Sequence, residues 1–249
     1  MDRVVARWQV PWLDHPLQAG RYGTWGVPVV FFPTGGAPWQ DCESFGMVGA
    51  LAPLIDAGRI KLYSVDAVNR DAWTRQDVAP WHKAWLQARY DEWLVGSLVP
   101  AIRRDCGGAP TPIVVAGASL GAYQALNALT KHPEHFGAGI GMSGTYVLDR
   151  RMGGWRGDDY YYNQPVQFLP NLGDSPQLRL LRQRFFQFGL GSGPHESPDY
   201  TWWAADVLGR RGVPNHVEVW GAGSDHDWPT WHAMLPRFLE RVLPRVAAA

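Results

Sequence analysis

A serine flanked by small residues is the first feature of the sequence that could do chemistry. The segment Gly117-Ala-Ser-Leu-Gly121 has the G-x-S-x-G pattern, and it stands between a short apolar run and a helical stretch. In that context the serine occupies a sharp strand-to-helix turn, where a bulky neighbour would clash across the turn. The pattern therefore predicts Ser119 as a nucleophile, and a plain glycine-rich turn is the alternative.

A serine hydroxyl is a weak nucleophile until a neighbouring base takes its proton. In folds that use this serine turn, the chain order is Ser, acid, His, and the histidine follows the last strand. The last apolar strand pattern, at residues 216–220, is followed by a loop that contains His226. His226 is the predicted base, whereas His232, inside the helix that follows, is expected to contribute packing.

Two backbone positions could stabilise the negative charge that develops when serine attacks a carbonyl. One is the N–H of Leu120, directly after the nucleophile, and the other lies in the turn after the third strand, at Thr34 and Gly35. Glycine lets the backbone approach a ligand closely. We therefore expect Leu120, Thr34 and Gly35 to form an oxyanion hole, with an ordinary turn as the alternative.

The acid that should orient His226 is less clearly marked. Residues 191–199 follow a predicted strand and contain Glu196 and Asp199. Glu196 lies inside the loop and could turn toward His226, whereas Asp199 stands just before a helix, where an acidic N-cap would explain it. A third alternative is that no acid is present, which would leave the imidazole free to adopt the wrong tautomer. Glu196 is the leading candidate.

The predicted secondary structure is suited to holding these residues at one edge of a sheet. Apolar runs predict strands at residues 3–10, 17–22, 27–32, 60–65, 112–116, 136–142, 185–188 and 216–220. Helical patterns occupy residues 45–57, 81–105, 119–130, 199–212 and 229–246. This alternation predicts an α/β fold with a mostly parallel central sheet and helices on both faces. We expect a single domain over residues 1–249, with residues 149–175 as an irregular insertion near the site.

Composition excludes several classes of function. The formal net charge of the 249 residues is zero, which argues against a nucleic-acid binder or a polybasic membrane-surface protein. No apolar stretch reaches the roughly 20 residues that span a bilayer, and the first residues lack a signal-peptide pattern. Cys42 and Cys106 have no metal-binding or C-x-x-C spacing. We therefore expect a cytoplasmic protein with reduced thiols; the oligomeric state stays open, and a homodimer is one alternative.

Several segments together resemble the "putative esterase" branch of the α/β-hydrolases, which includes esterase-D-like, feruloyl-esterase-like and antigen-85-like enzymes. The segments are Phe32-Pro-Thr-Gly-Gly36, Gly117-Ala-Ser-Leu-Gly121, Met142-Ser-Gly144, Tyr161-Tyr-Asn-Gln-Pro165 and His226-Asp-Trp-Pro-Thr-Trp231. The resemblance implies a serine esterase that acts on a small-molecule ester without metal or cofactor. It also supports Ser119 and His226 as catalytic residues and the Thr34 region as part of the oxyanion hole.

The sequence departs from this family at the acid. Relatives usually carry an aspartate shortly after the strand that here ends near Leu190, and this position has none. Two alternatives to ester hydrolysis stay open, and the missing aspartate motivates the second. The same serine could transfer its acyl group to an alcohol or amine, or the chain could be a non-catalytic binding protein that keeps the fold.

Overall fold

A mixed sheet of eight strands forms the centre of the computed structural model, which describes residues 3–108 and 110–247. The strands are β1 (Arg3–Trp8), β2 (Leu17–Tyr22), β3 (Val27–Phe32), β4 (Ile60–Val65), β5 (Ile113–Ala118), β6 (Phe136–Met142), β7 (Phe185–Leu190) and β8 (Asn215–Val219). Their order across the sheet is β1-β2-β4-β3-β5-β6-β7-β8. The β1–β2 and β2–β4 pairs are antiparallel and the other five are parallel. The predicted mostly parallel sheet is confirmed.

The helices follow the strands along the chain. They are α1 (Asp41–Ser44), α2 (Met47–Asp56), α3 (Pro80–Trp93), α4 (Val99–Asp105), α5 (Leu120–Lys131), α6 (Asp149–Met152), α7 (Asp158–Tyr161), α8 (Pro165–Phe168), α9 (Pro176–Leu181), α10 (Pro198–Arg210) and α11 (Trp228–Ala247). A π-helical turn, Leu94–Leu98, joins α3 to α4. Within the described ranges, no helix combines the length and apolar character needed to cross a lipid bilayer.

The inner strands of the sheet are buried on both faces, and the alternating side chains of β3 show how. Val29 and Phe31 pack in one cluster with residues of α2 and α11. Val30 and Phe32 point the opposite way and pack in a second cluster with residues of α3, α5 and α10. Because successive strand residues face opposite sides, an unbroken apolar run is the pattern of a strand covered by helices on both faces.

Three of the predicted helices differ from the observed ones for local reasons. The first predicted helix begins at Met47 rather than at residue 45, because Gly46 adopts a left-handed conformation (φ 85°) after the separate turn α1. The long predicted helix over 81–105 contains the π-helical turn. Helix α5 begins at Leu120, because the backbone of Ser119 (φ 57°) is not helical.

Residues 149–175 are more ordered than the predicted irregular insertion. They contain α6, α7, α8 and a 3₁₀ turn, Leu169–Asn171. Turns this short are not stable alone, and hydrogen bonds hold them in place. The buried hydroxyl of Tyr123, in α5, donates to the carbonyl of Asn163 at 2.7 Å and so ties the segment to the body of the protein. Within the segment, the hydroxyl of Tyr160 donates to Asp149 at 2.7 Å.

Close backbone packing fixes the turn between β5 and α5. A Cβ at Gly117 would collide with the backbone of Gly121, and a Cβ at Gly121 would collide with the carbonyl of Phe32 at the end of β3. The two glycines of the G-x-S-x-G pattern are therefore required by the approach of β3, β5 and α5 at one point. That approach places the serine beside the loop that follows β3.

We expect Gly121→Ala to lower the free energy of unfolding by about 2 kcal/mol or more, because the added methyl group must displace backbone. Gly49→Ala, in α2, is the matched control, since no atom lies within 4 Å of its added Cβ. That variant should gain roughly 0.5–1 kcal/mol from higher helix propensity. Urea unfolding of the two variants measures both effects, and equal stability of Gly121→Ala and the unsubstituted protein would contradict the packing argument.

Candidate active site

Ser119 occupies the turn between β5 and α5 in a strained backbone conformation, with φ 57° and ψ −121°. Left-handed residues other than glycine cost about 1–3 kcal/mol and persist only where surrounding contacts enforce them. Here the Ser119 N–H donates to the carbonyl of Met142 at 3.0 Å, and the N–H of Thr145 donates to the Ser119 carbonyl at 3.1 Å. The half-buried Ser119 hydroxyl itself makes no hydrogen bond with the described residues.

The predicted oxyanion-hole turn is fixed by its own side chain. The hydroxyl of Thr34 donates to Asp41 Oδ2 at 2.9 Å, and the N–H of Ala37 donates to the Thr34 carbonyl at 3.0 Å. Burial raises the pKa of Asp41, and the hydrogen bond from Thr34 opposes that rise. Gly35 has a left-handed conformation (φ 42°), so glycine is the residue best suited to this turn.

The N–H groups of this turn lie close to the first turn of α5. A Cβ at Gly121 would stand only 2.8 Å from the carbonyl oxygen of Pro33, the residue before Thr34. The backbone N–H groups of Thr34, Gly35 and Leu120 donate to no acceptor among the described residues. The first N–H groups of a helix have no partner within the helix, and the helix dipole favours negative charge there. Two chain segments thus offer unused donors beside Ser119.

His226 lies half-buried in the loop between β8 and α11. Its backbone N–H donates to Asp225 Oδ1 at 2.8 Å, and its ring meets the edge of Trp231 at 5.2 Å between centroids. Burial lowers the pKa of His226; the charge of Glu196 opposes this effect, and does so more strongly than that of Asp225. No hydrogen bond joins the His226 ring to Ser119 in the described chain, and such bonds often tighten only in the substrate complex.

Glu196 is held in the loop after β7 by two hydrogen bonds to one carboxylate oxygen. The Ser143 hydroxyl donates to Glu196 Oε1 at 2.6 Å, and the N–H of Gly191 donates to the same oxygen at 2.8 Å. The Ser143 hydroxyl in turn accepts a hydrogen bond from the buried indole N–H of Trp231 at 2.9 Å. Glu196 Oε2 has no partner among the described residues, so one oxygen remains for an imidazole.

The turn at Ser143 is the second strained position of the site. Ser143 is buried with φ 47°, and among the described residues only Ser119 and Ser143 combine a side chain with a positive φ. The N–H of Ser143 donates to the carbonyl of Gly189 at 2.7 Å. Residues 142–145 therefore contact the serine turn through Met142 and Thr145. Through the Ser143 side chain they contact the loop after β7 and the start of α11.

The other two nearby carboxylates differ in what they contact. Asp225 is occupied by His195, whose backbone N–H and Nδ1 lie 3.0 and 2.6 Å from its two oxygens. This contact raises the pKa of His195 and lowers that of Asp225. Asp199 is exposed in the first turn of α10, which begins one residue earlier than predicted. Its carboxylate has no hydrogen bond to any described residue, and the helix dipole accounts for an acid there.

A pocket of about 360 Å³ opens beside His226. It is lined by Ser143, Gly144, Thr145, Val147, Arg150, Arg151, His195, Ser197, Tyr200 and His226. The two arginines come from α6, within the segment that was predicted as an insertion near the site. The pocket therefore brings the candidate base together with residues that no catalytic motif includes.

Several of these residues were assigned no role in the sequence analysis. Ser143 and Trp231 lie in two of the segments that carry the family resemblance. The sequence therefore marks both segments but does not predict the hydrogen bond between them. Arg150, Arg151 and His195 have no local pattern, because their arrangement depends on how α6 and the loop after β7 pack. Within residues 3–108 and 110–247, no cluster of three or more His, Cys, Asp or Glu side chains is placed to hold a metal ion.

Comparison with known proteins places the chain among esterases. A family model described as "Putative esterase" matches residues 65–242. A solved ferulic acid esterase is 17% identical, with a TM-score of 0.74 over 98% of each chain. An S-formylglutathione hydrolase from Agrobacterium tumefaciens is 13% identical, with a TM-score of 0.72 over 98% of this chain and 95% of that one. No match was found among curated proteins.

A third solved structure extends the likeness to the antigen-85-like group. MPT51 of Mycobacterium tuberculosis is 14% identical, with a TM-score of 0.65 over 99% of each chain. At these identities the structural matches show the fold, and that fold is the predicted α/β-hydrolase fold.

Removing the Ser143 hydroxyl should destabilise the protein, because it leaves the buried Trp231 N–H without an acceptor. We expect Ser143→Ala to lower the free energy of unfolding by about 1–3 kcal/mol. Ser197→Ala is the control, since Ser197 is exposed and its side chain does not cap α10; its effect should stay within about 0.5 kcal/mol.

A double-mutant cycle in chemical denaturation identifies the contact responsible. Trp231→Phe removes the donor, so Ser143→Ala should cost less in that background than in the unsubstituted protein. Additive losses would show that the hydrogen bond between Ser143 and Trp231 contributes nothing to stability.

Proposed function

Because the chain belongs to the putative-esterase family of α/β-hydrolases and is a carboxylic ester hydrolase, we propose that it cleaves small acyl esters through an acyl-Ser119 intermediate. The match over residues 65–242 confirms the resemblance carried by the sequence motifs. The observation that carries the proposal is the set of hydrogen bonds by which residues 142–145 join the Ser119, Glu196 and Trp231 segments.

In the acylation half of the proposed reaction, His226 acts first as base and then as acid. Its neutral imidazole removes the proton of Ser119 Oγ while that oxygen attacks the ester carbonyl carbon. The same imidazole then gives the proton to the departing alkoxide, and the alcohol leaves as the carbonyl re-forms. The product of this half-reaction is an ester between the acyl group and Ser119.

Deacylation repeats the same chemistry with water. His226 takes a proton from water, whose oxygen attacks the acyl carbon, and then returns the proton to Ser119 Oγ. The carboxylic acid leaves and the serine is restored. The order of events needs no metal or redox group.

The proposed oxyanion hole consists of the N–H of Leu120 and the N–H groups of the turn at Thr34 and Gly35. These donors have no acceptor among the described residues, and they lie on the two segments that Gly121 brings together. Donors fixed before the reaction stabilise a developing oxyanion without a cost of reorganisation. The hydrogen bond from Thr34 to Asp41 would keep this turn in position.

Glu196 is the proposed orienting acid. Its negative charge opposes the effect of burial, which lowers the pKa of His226. Its Oε2 has no partner among the described residues. Asp225, next to His226 in the chain, is occupied by His195, and Asp199 stands exposed on α10. A carboxylate that accepts the second imidazole N–H fixes the tautomer that the base needs.

We further propose a cytoplasmic location. Both cysteines are free: Cys42 is buried and Cys106 is partly exposed. Unpaired thiols are typical of proteins in a reducing compartment.

The proposed intermediate predicts an initial burst of p-nitrophenol when the protein is mixed with p-nitrophenyl acetate. Acid quenching during turnover should leave one acetyl group on the peptide that contains Ser119. Ser119→Ala should abolish the burst and reduce turnover by about 10³ or more. Retention of full activity by a folded Ser119→Ala variant would disprove the mechanism.

The pH dependence of kcat/KM tests the roles of His226 and Glu196. Burial holds the pKa of His226 below its ordinary value of 6.5, so the neutral base persists to lower pH than usual and activity should fall only below that value. Glu196→Gln removes a negative charge that raises this pKa, so the midpoint should move to lower pH. The rate on the plateau should also drop, by up to about 10⁴.

Asp199→Asn is the control for this experiment, because Asp199 is an exposed acid near the same loop. It should change neither the midpoint nor the plateau. A larger effect of Asp199→Asn than of Glu196→Gln would transfer the orienting role to Asp199.

A further inference from the structure

The wall of the pocket beside His226 carries positive charge. Arg150 and Arg151 line it from α6, and His195 lines it from the loop after β7. None of the residues that line the pocket is an aspartate or glutamate. A concave surface with charges of one sign concentrates an oppositely charged ligand.

The two arginines are not neutralised by the protein. Arg150 is exposed and makes no hydrogen bond or ion pair with the described residues. Arg151 donates from Nη1 to the carbonyl of Trp73 at 2.7 Å, a contact that orients the guanidinium without cancelling its charge. Buried Lys83 lies behind it and donates to the Arg151 carbonyl at 3.3 Å. The charge of Arg151, after burial, lowers the pKa of Lys83.

Three carboxylates near the pocket already have partners, whereas the exposed Asp199, on α10, has none. Asp225 is bonded to His195, and Glu196 is held at the other side of His226, as described above. On α6 itself, Asp149 accepts hydrogen bonds from the hydroxyl of Tyr160 at 2.7 Å and from the amide of Gln167 at 2.9 Å. None of these three acids forms a hydrogen bond or an ion pair with Arg150 or Arg151.

From this arrangement we infer that the preferred ester carries an anionic substituent, a carboxylate or a group of similar charge, which binds Arg150 and Arg151 while the ester group reaches Ser119. The inference rests on the proposed function and extends it to substrate class. Guanidinium groups bind carboxylates by paired, charge-assisted hydrogen bonds. Because Nη1 of Arg151 already donates to the carbonyl of Trp73, Arg150 is the residue whose whole guanidinium group can bind the anion. Arg151 adds positive charge and helps to orient the anion.

The size of the pocket limits the substrate. About 360 Å³ accommodates a small acyl or aryl group and lies at the lower end of the range for small-molecule sites. Val147 and Tyr200 add apolar surface to the lining of the same pocket. A short apolar spacer with an anion at its far end fits this distribution of charge and surface.

Two matched pairs of esters test the inference. One pair carries the anion on the acyl group, and the other carries it on the alcohol group. The acyl-side pair is mono-p-nitrophenyl glutarate and p-nitrophenyl pentanoate, and the alcohol-side pair is 4-acetoxybenzoate and its methyl ester. The measured quantity is the ratio of kcat/KM for the charged ester to that for the neutral one. In at least one pair, Arg150→Gln should lower this ratio about tenfold, because the charged ester loses its guanidinium partner and the neutral ester has no anion to lose.

Two further variants distinguish binding of the anion by Arg150 from a general effect of the positive charge of this segment. Arg150→Lys keeps the charge and should retain most of the preference, reduced by about threefold. Arg156→Gln removes a charge from the same segment, but Arg156 does not line the pocket and stands 3.8 Å from Asp149. The ratio for Arg156→Gln should equal that of the unsubstituted protein.

The possible results distinguish this inference from the proposed function. If the neutral esters are hydrolysed through Ser119 and Arg150→Gln leaves both ratios unchanged, the anionic substrate class is wrong and the esterase mechanism stands. If none of the four esters is hydrolysed and a fluorophosphonate does not label Ser119, the proposed mechanism and the inference both fail.

Discussion

The hydroxyl of one buried serine, Ser143, links the parts of the site that the chain keeps far apart. It donates to Glu196 and accepts from Trp231, while its neighbours Met142 and Thr145 bond the backbone of Ser119. The serine turn, the acid loop and the start of the last helix therefore share a single turn at the end of β6. Because a buried hydroxyl in this position needs both partners, loss of either one disturbs all three segments.

The fold supplies the rigidity that this arrangement needs. Parallel strands bring the serine, acid and histidine loops to the same edge of the sheet, which is where open α/β sheets place their sites. Two strained backbones, at Ser119 and Ser143, are enforced there by hydrogen bonds from neighbouring segments. The same edge receives α6, whose two arginines line the pocket beside His226. The residues proposed for the reaction and those proposed for substrate preference thus lie on different elements.

Local sequence patterns were sufficient to locate the strands to within a few residues, and insufficient for contacts between loops. Apolar runs such as 27–32 and 60–65 match β3 and β4 residue for residue. A strand buried on both faces is apolar at nearly every position, so its own sequence is enough to predict it. The short helices after residue 149 were missed, because tertiary hydrogen bonds stabilise them. Glu196 could be named from its place in a loop, but its connection to Ser143 depends on packing between β6 and β7. The unpaired arginine at Arg150 has no signature in sequence at all.

The most direct test of the central claim, that Ser143 acts on the site through Glu196, is the rate of fluorophosphonate labelling in a double-mutant cycle. Peptide mapping should place the label on Ser119 in the unsubstituted protein, in Ser143→Ala, in Glu196→Gln and in the double variant. We expect both single variants to label more slowly, and the double variant to be no slower than Glu196→Gln, because the two residues act through one contact. Independent, additive losses of rate, or a label at a residue other than Ser119, would contradict the account.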